Sequence, residues 1–175
     1  MPSAKVPSYL LILNGSHEAK LAAQFAWGLS ASSQANVVAQ QVIDVPAIWH
    51  FLRFTLPGLV GSGVYFEAET KIAETLRAVA ETVSLSYMAE AEGHGLEFAT
   101  LIDEGDTADE ICRRAQEHDL LIIGRLDADE LGPHNKASSR IVEQCSKPIV
   151  FVNAQAGSEH ITISFANREL NPEII

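Results

Sequence analysis

Five short apolar runs alternate along the chain with longer segments in which apolar residues recur every three or four positions. The runs are almost continuously apolar, which is typical of strands covered on both faces. Because such strands alternate with helices, the pattern predicts a parallel, doubly wound sheet. We therefore expect an α/β fold with an open sheet of five strands and four helices, the strands lying at 9–13, 37–43, 96–102, 120–123 and 148–152.

Short polar motifs mark where the helices begin. Ser16 follows the first strand and is expected to cap the first helix. Thr107 and Glu110 have the spacing of a capping box, in which each side chain bonds the other residue's free backbone amide. Ser138 and Ser139 open the last helix. They are either N-caps or contacts for a phosphate at a helix N-terminus.

The segment from 45 to 66 is unusually apolar for a connection between a strand and a helix. Three arrangements would accommodate its aromatic and aliphatic side chains: a short helix over the sheet edge, a dimer or higher-order interface, or a lid over a ligand cleft. Exposed apolar patches usually mark contacts. Packing or an interface is therefore favoured over a lid, and Trp49 and Phe54 are the candidate contacts for a protein partner.

The chain is expected to form one domain over residues 1–153, followed by a tail at 154–175. Within the tail, residues 160–167 alternate apolar and polar side chains, which indicates a half-buried strand. A strand of this kind needs an edge with which to pair. We expect it to pair with the edge of a sheet, across a homodimer.

Composition narrows the range of partners. The net charge is −11 and the pI about 4.9, so nucleic acid and acidic membrane surfaces are expected to repel the chain. No run reaches transmembrane length and the N-terminus does not resemble a signal peptide, so a cytoplasmic protein that does not bind a membrane is expected. Cys112 and Cys145 fall on apolar helix faces, and buried thiols are favoured over a disulfide.

Candidate chemistry is sparse. The six histidines show no metal-ligand spacing, and no metal site is predicted. The acidic residues Asp127, Asp129 and Glu130 are more typical of a solvated loop than of a cation site. Ser16 and His17 are adjacent in sequence but neighbours rarely face each other, so no catalytic residues are predicted and the protein is not expected to be an enzyme.

Three stretches resemble the universal stress protein family, over roughly residues 9–152. LILNGSHEAKLAAQFA (11–26) is similar to that family's first strand, turn and helix, and GDTADEICRRAQEHDLLIIG (105–124) to the surroundings of its third helix. The family's glycine signature is Gly, two residues, Gly, nine residues, Gly, then Ser or Thr. In this chain the four positions of the signature are occupied by Gly124, Asp127, Ala137 and Ser138, so the first and last positions match and the middle two differ.

The resemblance implies a cytosolic stress-response protein and a homodimer joined through the last strand of the sheet. Some members bind ATP and others do not. The matching nucleotide positions in this chain are Asn14, Val42, Gly124, Asp127, Ala137, Ser138 and Ser139. ATP or AMP is therefore the candidate cofactor, and no cofactor is certain.

Three departures weaken the candidate nucleotide site. Asn14 is a neutral amide where ATP binders have an aspartate. Asp127 would repel a phosphate at ~4 Å by about 4 kcal/mol at an effective dielectric near 20, although Arg125, Lys136 and Arg140 could offset part of this. Ala137 adds a methyl group where the backbone would approach the ligand.

Three hypotheses remain open. The first is a non-catalytic stress-response homodimer that acts through protein contacts, with weak or no nucleotide binding. The second is an ATP or AMP sensor with slow hydrolysis at most. The third is an accessory subunit that binds a larger partner through the 45–66 segment.

Overall fold

The computed structural model describes residues 6–55, 62–125, 136–154 and 161–166. Strands and helices alternate through these residues, with two exceptions: two helices follow each other after the second strand, and the last two elements are both strands. In chain order the elements are β1 (Ser8–Ile12), α1 (His17–Ser33), β2 (Asn36–Asp44), α2 (Val45–Thr55), α3 (Ser62–Gly93), β3 (Phe98–Gly105), α4 (Thr107–Ala115), β4 (Leu120–Arg125), α5 (Lys136–Gln144), β5 (Ile149–Ala154) and β6 (Ile161–Ala166).

One sheet carries all of these strands, in the order β3-β2-β1-β4-β5-β6. The first five are parallel, and β6 runs antiparallel to β5. The predicted α/β class and mainly parallel sheet are therefore confirmed. The expected numbers of elements were too low, since the described residues form six strands and five helices. The extra helix is α2, which lies in the apolar segment, and the extra strand is β6.

Helices cover both faces of the sheet, as the continuously apolar strands predicted. Tyr9 and Leu11 of β1 point into a core with α1 and the end of α3. Leu10 and Ile12 point the opposite way, into a core with α4 and α5. Because β1 lies at the centre of the sheet, all four of these side chains are almost fully buried.

The apolar segment at 45–66 begins with α2, which packs over the carboxyl end of β2. Ile48 and Leu52 are buried against Ile43, with Ile72 of α3 beside them. Trp49 makes an edge-to-face contact with Phe66, with ring centroids 5.3 Å apart. The short-helix arrangement is thus confirmed for Val45–Thr55, while residues 56–61 lie outside the described part of the chain.

The predicted tail strand forms as β6, and it pairs with β5 of the same chain. Its register places Phe165 opposite Val150 and Ile163 opposite Val152. Phe165 packs against the core on the α1 side. The outer edge of β5 is therefore covered from within the chain, so pairing across a homodimer through β5 would require β6 to move.

Three local expectations were wrong. Cys112 and Cys145 form a disulfide that joins α4 to the residue after α5, because their apolar helix faces meet in one core. Asp106, rather than Thr107, caps α4 and accepts hydrogen bonds from the backbone amides of Ala108 and Asp109. Helix α5 begins at Lys136, so Ser138 and Ser139 lie within its first turn and do not cap it.

Candidate functional site

A cavity of about 770 Å³ lies at the carboxyl ends of β1 and β2, beneath α2 and α3. Two of the predicted nucleotide positions, Asn14 and Val42, line it. In a parallel sheet this edge is the usual place for a ligand, because the loops that follow neighbouring strands converge there. The volume lies within the range of small-molecule sites, which is roughly 300–1,000 Å³.

The walls of the cavity are mainly apolar. Helix α2 contributes Ile48 and Phe54, and α3 contributes Leu76, Val79 and Val83. These α3 positions recur every three or four residues and therefore share one face of the helix. The apolar stripe on α3 and the additional helix α2 therefore form the walls of the cavity.

The polar side chains in the lining are mostly engaged within the protein. Asp44 accepts hydrogen bonds from the backbone amide of Ala47 at 2.8 Å and from Thr107 Oγ1 at 2.7 Å. Gln41 Nε2 donates to Ala80 O and to Ser84 Oγ, both at 2.7 Å. The Asp44 carboxylate and Gln41 Nε2 therefore have hydrogen-bond partners without a ligand.

Asn14 is the exception. Its Oδ1 accepts a hydrogen bond from the backbone amide of Ser16 at 3.1 Å, in the turn that leads into α1. This bond fixes the orientation of the amide, because only the oxygen can accept. In the part of the chain that the structure describes, Nδ2 makes no hydrogen bond. Asn14 thus presents a donor where an aspartate would present an acceptor.

Ser138 and Ser139 lie at a different cavity, of about 260 Å³, together with Val142 and Phe151. Phe151 belongs to the core on the α4 and α5 side of the sheet. The structure therefore brings Asn14 and Val42 together, and Ser138 and Ser139 together, in two separate described cavities. Ala137 lies in the first turn of α5, and Asp127 lies outside the described residues.

Gly124 has a structural reason to be glycine. It ends the buried part of β4 where the first turn of α1 crosses the sheet. A Cβ atom at this position would lie 2.3–2.4 Å from Glu18 C, Glu18 O and Ala19 N. Close packing of strand against helix therefore accounts for Gly124 without a phosphate.

The charge on Arg140 is already paired. Its guanidinium donates to Asp106 at 2.8 Å and to Asp109 at 2.9 Å, which ties α5 to the start of α4. The hydrogen bond from Arg140 lowers the pKa of Asp106 below its ordinary value. Arg140 was a candidate to offset Asp127, but this pairing reduces what it can contribute to a phosphate.

Sequence reasoning missed several polar residues inside the fold. Gln40 and Gln41 are both buried in β2. Gln41 lines the larger cavity, while Gln40 Nε2 donates to Asp103 at 2.8 Å on the opposite face. The signal was available, since two consecutive glutamines in an otherwise apolar strand indicate buried polar groups with partners.

A serine and a histidine also meet, at the opposite edge of the sheet. Ser8 Oγ lies 2.7 Å from Nδ1 of the buried His118, and the backbone amide of Ser8 donates to Asp119. Neither Ser8 nor His118 lines the cavities described above. The pair therefore serves to join β1 to the turn before β4.

Comparison with known proteins gives one consistent result. No family model matches the sequence, and no curated protein matches it. Among solved structures, universal stress protein UspA from Lactobacillus plantarum matches with a TM-score of 0.66 at 16% identity, over 85% of this chain and 99% of that chain. This chain has the fold of the universal stress proteins.

Two further universal stress protein structures contain nucleotides. One, from Arabidopsis thaliana with AMP bound, has a TM-score of 0.57 at 15% identity and covers 88% of this chain and 96% of its own. The other, in complex with cAMP, has a TM-score of 0.56 at 12% identity, covering 85% of this chain and 97% of that chain. At these identities the likeness to universal stress proteins is one of fold.

Two further observations concern the described residues. None of their helices is long and apolar enough to cross a membrane. In the same residues, no three His, Cys, Asp or Glu side chains are grouped so that they could hold a metal ion.

Proposed function

We propose that the protein is a universal stress protein that acts in the cytoplasm without a catalytic role and binds adenine nucleotides weakly or not at all. The fold supports the proposal that the protein is a universal stress protein. The cavity at the carboxyl edge of the sheet supports a binding role, since it occupies the position where α/β folds hold ligands.

The observation that carries the proposal of weak binding is the hydrogen bond from the Ser16 amide to Asn14 Oδ1. An adenosine held at this position would meet a neutral amide oxygen that already accepts one hydrogen bond and keeps only one lone pair for a ligand. An aspartate would have a second carboxylate oxygen and a full charge, and hydrogen bonds to charged groups are about twice as strong as neutral ones.

The surroundings of α5 point the same way for the phosphates. Ser138 and Ser139 do not share a described cavity with Asn14, and Arg140 is held by two carboxylates. Gly124 is accounted for by packing against α1. The features that would hold a phosphate in the described residues are therefore either engaged within the protein or line a different described cavity from Asn14.

Isothermal titration with ATP, AMP and cAMP, each with and without Mg²⁺, tests the proposal. We expect dissociation constants weaker than about 100 μM for the natural sequence. Asn14→Asp should improve AMP binding by about tenfold, since it restores a charged acceptor. The double variant Asp127→Gly, Ala137→Gly should improve ATP binding more than AMP binding. Tight binding of ATP by the natural sequence, at about 10 μM or below, would refute the proposal.

The rival hypothesis is a nucleotide sensor, and the AMP and cAMP complexes of fold relatives favour it. Denaturing extraction of freshly purified protein, followed by chromatography of the extract, separates the two hypotheses. A stoichiometric adenine nucleotide would establish the sensor. An extract free of nucleotide, together with weak binding in the titrations, supports the proposal that the protein binds adenine nucleotides weakly or not at all.

A further inference from the structure

The larger cavity has features that an adenine nucleotide does not use. Four of its apolar lining residues also reach solvent: Phe51 is 58% exposed, Phe54 76%, Leu76 41% and Val79 55%. They lie on two different helices, α2 and α3, that face each other across the cavity mouth. A ligand that removes this apolar surface from water gains a binding free energy of roughly 25 cal/mol per Å² of buried apolar area.

The polar groups in the lining define the other end of the ligand. The Asp44 carboxylate accepts from Ala47 and Thr107, and Gln41 Nε2 donates to Ala80 and Ser84. Asn14 is exposed, and its Nδ2 is a donor with no protein partner among the described residues. His50 is a further polar residue in the lining, and it is exposed. A ligand that fits this lining therefore needs one hydrogen-bond acceptor near Asn14 and little other polarity in its buried part, because a buried polar group without a partner is unfavourable.

Charge disfavours an anionic head group. The Asp44 carboxylate lies in the lining, and the whole chain carries a net charge of −11. A carboxylate or phosphate on the ligand would be repelled both locally and by the field of the whole molecule.

We infer that the cavity binds an uncharged lipophilic molecule, with a hydrocarbon or aromatic body between α2 and α3 and a carbonyl-type acceptor at Asn14. The volume of about 770 Å³ suits a single small molecule rather than a peptide segment. This inference goes beyond the proposed function. It shares Asn14 with the candidate nucleotide site, and its apolar contacts are ones that an adenine nucleotide does not need.

The first experiment is titration of the full chain with the uncharged fluorescent probe N-phenyl-1-naphthylamine. We expect saturable binding of one probe per chain, with a dissociation constant of about 1–10 μM. Decan-2-one should displace the probe at a concentration at least about tenfold lower than decanoate, which has the same chain length and a negative charge. AMP titrations on the same sample keep the test independent of the proposed function.

Matched variants on α3 locate the site. Val79→Trp narrows the mouth at a position that is already exposed, so the fold should tolerate it, and probe affinity should fall by about tenfold or more. Leu85→Trp introduces the same side chain on the same helix at a position that is 65% exposed and does not line the cavity. It should leave probe affinity unchanged. Circular dichroism confirms that both variants are folded.

A third variant tests the polar end. Asn14→Leu should lower the affinity for decan-2-one by about fivefold, the effect of one neutral hydrogen bond, and leave probe affinity within about twofold. Absence of saturable probe binding would overturn the inference. So would equal losses in the two tryptophan variants, or probe binding that requires self-association of the protein in light scattering.

Discussion

Gly124 illustrates how one residue fits two different explanations. In the sequence it is the first glycine of a nucleotide signature, while in the structure its α-carbon lies against the backbone of the first turn of α1. The second explanation needs no ligand and makes a prediction that the first does not. A side chain at this position should destabilise the protein itself, whether or not a nucleotide is present.

We therefore expect Gly124→Ala to lower the free energy of unfolding by about 1–3 kcal/mol, because the backbone atoms of Glu18 and Ala19 cannot give way like a flexible side chain. Urea denaturation followed by circular dichroism measures the change. Gly28→Ala is the matched control, since a Cβ there meets nothing within 4 Å and lies inside α1. It should stabilise the protein by about 0.5–1 kcal/mol. Equal effects at the two glycines would contradict the packing explanation.

His118 gives a prediction about pH. Burial lowers the pKa of His118, against the opposing effects of Glu117 and Asp119. The imidazole therefore stays neutral in the folded chain at pH values where the unfolded chain binds a proton. Stability should be fully present above the unfolded pKa of about 6.5 and decrease as the pH falls from there toward the folded pKa, by at most about 1.4 kcal/mol per pH unit.

The test compares the free energy of unfolding of the natural sequence and His118→Gln between about pH 5 and pH 8. The variant should have a flatter dependence on pH, even if it is less stable at neutral pH through its altered contact with Ser8. The same exchange at the exposed His94 controls for loss of an imidazole in general. An unchanged dependence on pH in His118→Gln would contradict the assignment.

Residue-level prediction from sequence worked where a local rule was sufficient. Ser16 caps α1 as expected, because an N-cap depends only on the next three residues. Thr107 did not cap α4, because its hydroxyl donates to Asp44 on a neighbouring strand, a partner that local spacing does not reveal. The orientation of Asn14 likewise depends on the turn geometry and not on its identity alone.

Elements were predicted well where both faces are buried. The runs of β1, β4 and β5 are apolar without interruption, so their existence and direction followed from pattern. Helix α2 was harder to predict because its apolar residues face both the core and the open cavity, which blurs the usual division between one apolar and one polar side. A helix with apolar residues on two sides packs against two different parts of the molecule, and its sequence alone does not show which parts these are.

The disulfide between Cys112 and Cys145 joins two elements that pack on one face of the sheet. It closes a loop with a sequence separation of 33 residues. In the chain-entropy model, a loop of this size contributes roughly 3–4 kcal/mol to stability. The double variant Cys112→Ala, Cys145→Ala should therefore lower the free energy of unfolding by about 2–4 kcal/mol, measured by urea denaturation.

Reductant provides the control for this prediction. Dithiothreitol should lower the urea midpoint of the natural sequence and leave that of the double alanine variant unchanged. Thiol titration of the denatured protein, without reductant, should detect no free thiol. Two titratable thiols per chain would show that the cysteines are reduced and would refute the prediction.

At the scale of the whole molecule, the sheet could be predicted from sequence but its edges could not. The order of strands and helices leads to a doubly wound sheet. Which strand ends the sheet depends on where the tail pairs, and a half-buried strand pattern fits an edge in the same chain or in a second copy equally well. Because β6 covers β5, β6 is the last strand on this side of the sheet among the described residues.

The expected homodimer therefore becomes a proposal about β6. An edge strand exposes backbone donors and acceptors that can pair with a second copy, and a charged side chain near its centre prevents such pairing. Two copies of β6 paired about a two-fold axis would bring their central residues together, so Ser164→Lys would place like charges near each other. We expect this variant to raise the dimer dissociation constant by about tenfold or more, measured by sedimentation velocity.

The matched control is Thr82→Lys, which adds the same charge on an exposed position of α3, far along the chain from the sheet edge. It should sediment like the natural sequence. A lysine at Ser164 is preferable to deletion of the tail, because deletion would uncover β5 and could create a new pairing edge while removing the old one. If the natural sequence is monomeric, or if both lysine variants dimerise equally, the proposal for β6 fails. In that case the strand serves only to close the sheet of its own chain.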